Sequence, residues 1–161
     1  DPAFPAMLEL FARTDINLRD GDSGLMPIHI GEEVSSLSAI LLDEEFYKLL
    51  VENRVSAGGV AVLSVEGLIP FKAKAWLDLS AKRADGKAVD EKSVKKHRND
   101  VCRLATLLAG NERPAMSEGV LADMRRFIEA YESDPVDPKT IRIKGVGTQQ
   151  VVEVLKDVYL R

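Results

Sequence analysis

The sequence predicts an α+β fold: short mixed or antiparallel strands in the N-terminal part, followed by a bundle of four to five helices. Three observations predict it. Short apolar runs that are alternating or β-branched fall before residue 65. After it come segments with 3.6-residue apolar periodicity, each led by a Ser, Asp or Thr able to cap a helix. Strands followed by helices, rather than an alternation of the two, favour α+β over a doubly wound parallel sheet. The organisation expected is a strand-rich segment over 1–65 and a helical part over 66–161, together one compact unit.

At the N-terminus, Asp1 to Pro5 carries two prolines and reads as an extended lead-in. Ala6 to Ala12 alternates as a strand, with Met7, Glu9 and Phe11 on one face. Asp20 to Gly24 is a turn signal, and Met26 to Ile30 is a short strand whose Pro27 predicts an edge position. Leu37 to Leu42 is too short for periodicity to decide between strand and helix. Asp43 caps a helix over Glu44 to Glu52 with Phe46, Leu49 and Leu50 inward. Gly58-Gly59 breaks the chain, and Val60 to Val65 reads as a strand.

Helices are expected from there on. Ser64 caps one from about Glu66 to Arg83, Asp90 a second from about Glu91 to Ala109, and Ser117 a third from about Glu118 to Glu132. The third has an apolar stripe of Val120, Leu121, Met124, Phe127, Ile128 and Tyr131. Asp134-Pro-Val-Asp-Pro138 stops it, and Ile141 to Ile143 is too brief to assign. Thr148 caps a last helix to about Tyr159, which buries Val151, Val154 or Leu155, and Val158.

Composition narrows the function classes. The 161 residues are 45% apolar and 30% charged, the balance of an ordinary globular protein. A net charge of −4 argues against a protein built around nucleic-acid backbones, which need a broad cationic face. One cysteine, Cys102, forms no internal disulfide, and with two histidines it makes no structural zinc site, so a reducing cytoplasm is expected. No apolar run approaches the roughly 20 residues that span a bilayer. The first residue is Asp1 rather than Met, which leaves room for sequence upstream.

The chemistry-bearing residues cluster on two helices. On the first, Leu68, Lys72, Ala75, Trp76 and Leu79 share a face, so Lys72 is expected within an apolar stripe, while Lys74 is spaced to pair with Asp78. On the second, Val94, His97, Val101, Leu104 and Leu108 make an inward stripe. Asp100 lies four residues after Lys96. Lys95-Lys96-His97-Arg98 reads as a solvated basic face. Inward polar groups are costly unless they meet each other or a ligand. Two readings stay open: a structural Lys72–Asp100 pair that fixes helix docking, or an anionic pocket with Lys72, Lys96 and His97 facing a phosphate.

The stretch Leu63-Ser-Val-Glu-Gly-Leu-Ile-Pro-Phe-Lys-Ala-Lys-Ala-Trp-Leu-Asp-Leu79, then Arg83, then Lys96-His-Arg-Asn-Asp100-Val101, resembles the second half of AbiEii-type nucleotidyltransferase-like proteins. These are cytoplasmic bacterial proteins of the polymerase-β-like superfamily, several of them toxins of toxin–antitoxin pairs. Lys72 and Ala75 match one helix of the pattern, Arg83 its arginine, and Lys96 and Asp100 the next helix; His97 stands where the family more often has Asp. The match covers about Val60 to Leu108. The resemblance implies that Lys72, Arg83, Lys96, His97 and Asp100 contact a nucleoside triphosphate or its acceptor. It further implies that Glu9 is a third metal-binding carboxylate for Mg2+, and that an antitoxin protein is a partner. The family's Gly-Ser turn followed by Asp-x-Asp is missing: Gly58-Gly59, Asp20-Gly-Asp22 and Asp15-Ile-Asn17 each lack part of it. The expectation is thus the C-terminal portion of such a protein, with a non-catalytic helical interaction module as the alternative.

Overall fold

The run Leu37 to Leu42, undecided by periodicity, is a strand, and its place in a sheet explains why. The structure, a computed structural model, describes residues 10–13, 25–28 and 37–161. Three strands, β1 (Leu10–Arg13), β2 (Leu25–Ile28) and β3 (Leu37–Leu42), form a sheet in the order β1-β3-β2. β3 pairs parallel to β1 and antiparallel to β2, with Leu10 opposite Ala39 and Met26 opposite Ala39 on its other side. A strand paired on both sides accepts the near-continuous apolar run of 37–42. Pro27, which has no N–H to give a ladder, sits on the edge strand as expected. The segment 6–9 of the first expected strand, including Glu9, and residues 29–30 of the second lie outside the described residues.

Helix α1 (Glu44–Glu52) starts where Asp43 predicts, with the Asp43 carboxylate accepting the Phe46 N–H at 2.9 Å. Phe46 and Leu49 are buried and Leu50 half-buried. The chain divides into two units, Asp1–Lys48 and Leu49–Arg161, so the residues after α1 belong to the second.

That second unit begins with a hairpin of β4 (Arg54–Ala57) and β5 (Val60–Leu63), joined by Gly58-Gly59. Both glycines have positive φ, +58° and +80°. A two-residue hairpin turn of this hand needs that backbone, which glycine adopts without cost. β4 is absent from the sequence expectation because Arg-Val-Ser-Ala is short and only half apolar. Behind the hairpin, Gly67 is held to glycine by proximity: a Cβ there would lie 2.6 Å from the Asn53 Cβ. Asn53 is the buried polar residue of this corner, and its amide donates to the carbonyls of Leu49 and Ala115 at 3.0 and 3.2 Å.

Four helices complete the unit. α2 (Val65–Ala84) is capped by Ser64, whose hydroxyl accepts the Gly67 N–H. α3 (Glu91–Ala105) is capped by Asp90, which accepts from Lys92 and Ser93. It ends at Ala105 rather than near 109, because the next residues turn and the Glu112 carboxylate takes the Ala109 and Gly110 N–H groups. α4 (Glu118–Ser133) is capped by Ser117. Pro138–Ile141, unassigned from sequence, is a 3-10 turn capped by Asp137. α5 (Thr148–Tyr159) is capped by Gly147 and not by Thr148, which is the first helical residue; Gln150 reaches back to accept the Gly147 N–H at 2.7 Å. The α+β architecture, a helical bundle after short strands, is as the sequence predicts.

The core of the second unit lies among α2, α3, α4 and α5, with Val101, Met124, Phe127, Ile128, Tyr131, Val151 and Leu155 essentially sealed from solvent. The α4 stripe is as expected except that Leu121 is only half-buried. On α5, Val151, Leu155 and Val158 are buried and Val154 half-buried. The inward face of α2 is not the expected one. Ile69, Pro70 and Ala73 are buried, whereas Leu68, Lys72, Ala75 and Leu79 are half-buried. Apolar residues surround most of α2, so several faces match a 3.6-residue period and spacing alone does not choose between them. On α3 the buried set is Val94, Val101, Cys102 and Ala105, and His97 and Leu104 are half-buried at its margin.

Candidate functional site

α2 and α3 form an antiparallel pair, joined by two ion pairs. Toward the middle of α2, Lys72 Nζ lies 3.6 Å from Asp100 on α3. Near its end, Arg83 Nη1 lies 3.3 Å from Glu91 at the start of α3. The Lys72–Asp100 pair of the first reading forms, but it is three-quarters rather than fully buried, since α2 turns a different face to the core. Asp100 does not take Lys96, four residues before it. It takes Lys72 and Arg103, the latter at 3.3 Å, while Lys96 stays exposed. Lys74 pairs with Asp78 at 2.9 Å as expected, and also reaches Asp123 of α4 at 3.5 Å. Burial alone would lower the Lys74 pKa, but these two carboxylates outweigh it and hold it above the ordinary lysine value.

The structure thus joins Lys72 to Asp100 and Arg83 to Glu91, and places Lys96 and His97 in neither pair. Among the described residues, no group of three or more His, Cys, Asp or Glu side chains is placed to hold a metal ion. Glu9, the carboxylate the resemblance assigns to Mg2+, lies outside the described residues.

A cavity of about 540 Å³ opens on another side of the same helix pair, between α2, α3 and the connection that leaves α4. Of the five candidate contact residues Lys72, Arg83, Lys96, His97 and Asp100, Arg83 alone lines it. Its apolar part is Trp76, Val94 and Val136. Trp76 is held edge-on against Phe127, with ring centroids 5.5 Å apart and planes at 85°. Arg98, read from sequence as part of a solvated basic face, has a side chain only 25% exposed. Its guanidinium bonds the Asp134 carboxylate at 2.7 Å and ties α3 to the end of α4. The sequence carried no signal for this pair, because the partners are 36 positions apart and helix spacing says nothing at that range. Lys95, one helical turn after Glu91, also lines the cavity and is exposed, and Asp137 lines its far side.

Two buried tyrosines complete the surroundings. The Tyr131 hydroxyl sits beside the Cys102 thiol and the Val136 backbone without meeting hydrogen-bond geometry. Burial pushes the titrations of Tyr131 and Cys102 above their ordinary values. Tyr159 donates its hydroxyl to the Glu66 carbonyl at 2.7 Å, and burial pushes its titration up as well. Among the described residues no helix is long and apolar enough to cross a membrane. No known family model, no curated protein and no solved structure matches the chain.

Proposed function

We propose that this chain is the C-terminal portion of a cytoplasmic, bacterial nucleotidyltransferase-like protein of the AbiEii type, whose transfer centre lies outside the described residues. The observation that carries the reading is the Lys72–Asp100 pair, at 3.6 Å across the two helices that bear the resemblance. A carboxylate that steers an ammonium about a quarter exposed is what a lysine needs in order to present its charge to phosphate oxygens in one direction. In this reading Lys72 and Lys96 meet the triphosphate, His97 hydrogen-bonds the substrate, Asp100 orients Lys72, and Arg83 serves the acceptor side. Mg2+, implied by the resemblance, would supply charge neutralisation at the phosphates. The contribution of these helices is to bind and align.

The test is calorimetric titration of the chain with each of the four ribonucleoside triphosphates, with and without Mg2+, comparing wild type with Lys72→Ala. Heat of binding in the wild type, weakened at least about tenfold by Lys72→Ala, supports the reading, since charged contacts to a ligand are worth roughly 1.5–3 kcal/mol. No heat in the wild type for any nucleotide removes its support.

A second reading, favoured by the cavity beside Trp76, is a non-catalytic helical module that binds a partner protein such as an antitoxin. It draws on the observation that Lys72, Arg83 and Asp100 are each already matched to an opposite charge within the fold.

A further inference from the structure

We infer that the cavity between α2, α3 and the Asp134–Thr140 connection docks a short polypeptide segment of mixed charge from a partner protein, seating an apolar side chain against Trp76. The inference rests on the module reading of the function and names its surface. The charges that line the cavity narrow the occupant. Arg83, Lys95 and Arg98 stand against Glu91, Asp134 and Asp137, so the lining carries no net charge. Three carboxylates facing one cavity oppose a nucleic-acid backbone, whose binding needs cations in excess. A polypeptide that brings both signs meets no such penalty.

One of the pairs already present is of the kind that a partner can exchange. Arg98 is three-quarters buried where it meets Asp134, whereas Arg83 and Glu91 are each at least half exposed. Ion pairs in that setting hold little net energy, so swapping one carboxylate for another costs little. Lys95 is exposed and has no carboxylate within 4 Å among the described residues, so one cation is left for an incoming acidic side chain. Between the charges, Trp76, Val94 and Val136 offer an apolar floor, the arrangement in which an aromatic anchors a partner while a charged rim sets its register. The volume of about 540 Å³ suits one or two side chains rather than a whole domain.

Trp76 is the single tryptophan of the chain, so its emission reports on the cavity directly. The experiment selects peptides from a displayed library of random dodecamers on the whole chain, then titrates the enriched peptides as synthetic probes against Trp76 fluorescence. Lys95→Glu is the variant, because an exposed lysine outside any ion pair among the described residues can be reversed at only a small cost against Glu91 one turn before it; circular dichroism and thermal melting check that the fold is kept. A 20-nucleotide single-stranded RNA is titrated alongside. The result expected is enriched peptides carrying both signs and an apolar residue, a shift of the Trp76 emission on binding, and a Kd raised about tenfold or more by Lys95→Glu. Peptides that bind equally well to wild type and Lys95→Glu, with Trp76 emission unmoved, overturn the cavity as the docking surface and leave the module reading standing. No enriched peptide overturns both. A Trp76 response to the RNA and to no peptide overturns the polypeptide as the occupant.

Discussion

Pro70 stands in the interior of α2, where proline is normally excluded, and α5 repairs the damage. A residue without an N–H leaves the carbonyl four positions earlier without its helical donor. That carbonyl belongs to Glu66, and the Tyr159 hydroxyl donates to it at 2.7 Å from a side chain only 2% exposed. Removing the hydroxyl by Tyr159→Phe keeps the ring and leaves the carbonyl with no donor. An unmet backbone acceptor in a partly buried place costs about 1–2 kcal/mol, the lower part of the range for buried groups. In a Pro70→Ala background the helical N–H returns, so the same Tyr159→Phe change should cost well under about 1 kcal/mol. The assay is urea unfolding of the four proteins of the cycle, followed by Trp76 fluorescence. A coupling of about 1 kcal/mol between the sites is expected. Equal costs of Tyr159→Phe in both backgrounds would refute the assignment of Tyr159 as the donor that replaces the missing amide.

Gly67→Ala should destabilise the second unit even though alanine favours helix by about 1 kcal/mol. Its Cβ would meet the Asn53 Cβ at 2.6 Å and Leu63 at 3.0 Å, and overpacking of that kind costs about 1–3 kcal/mol; a raised urea midpoint would contradict it. Alkaline pH should unfold the chain with a definite sign. Burial raises the folded pKa of Tyr131 and Tyr159, so the stability they hold is complete below the unfolded value near 10 and falls as pH rises above it. Each tyrosine that stays protonated only in the folded state contributes a loss of about 1.4 kcal/mol per pH unit. Urea midpoints flat between pH 9.5 and 11.5 would exclude that. Cys102 is fully buried and burial pushes its thiol up, so a thiol reagent at pH 8 should label it at the rate of unfolding and no faster; rapid labelling of the folded protein would show that the thiol is accessible.

Much of the second unit was legible because helix starts are local. Ser64, Asp90 and Ser117 each cap where their side chains can reach back to the first free N–H groups, and four residues suffice to see it. The apolar stripes of α4 and α5 were legible for the same reason. Harder features depend on contacts distant in sequence. The face of α2 that turns inward goes with Gly67 fitting against Asn53, 14 positions before it, and with the Glu66 carbonyl meeting the Tyr159 hydroxyl, 93 positions after it. The strand β4 depends on its partner and on the turn, since Arg54–Ala57 has little strand character alone.

The candidate site divides along the same line. Inward spacing on α2 and α3 led to Lys72 and Asp100, and the two helices do bring them together. Spacing could not place the second set, because Arg98 finds its carboxylate at the far end of α4. The two sets share the helix pair, and Arg83 belongs both to the resemblance and to the cavity, so Lys72 and Lys95, which lie in one set each, act as independent probes. A ligand held through phosphate oxygens should lose affinity on Lys72→Ala and ignore Lys95→Glu. A polypeptide seated on Trp76 should do the reverse, since Lys72 does not line that cavity. If both substitutions weaken the same ligand, the helix pair acts as one surface, and the separation argued from the cavity lining is wrong.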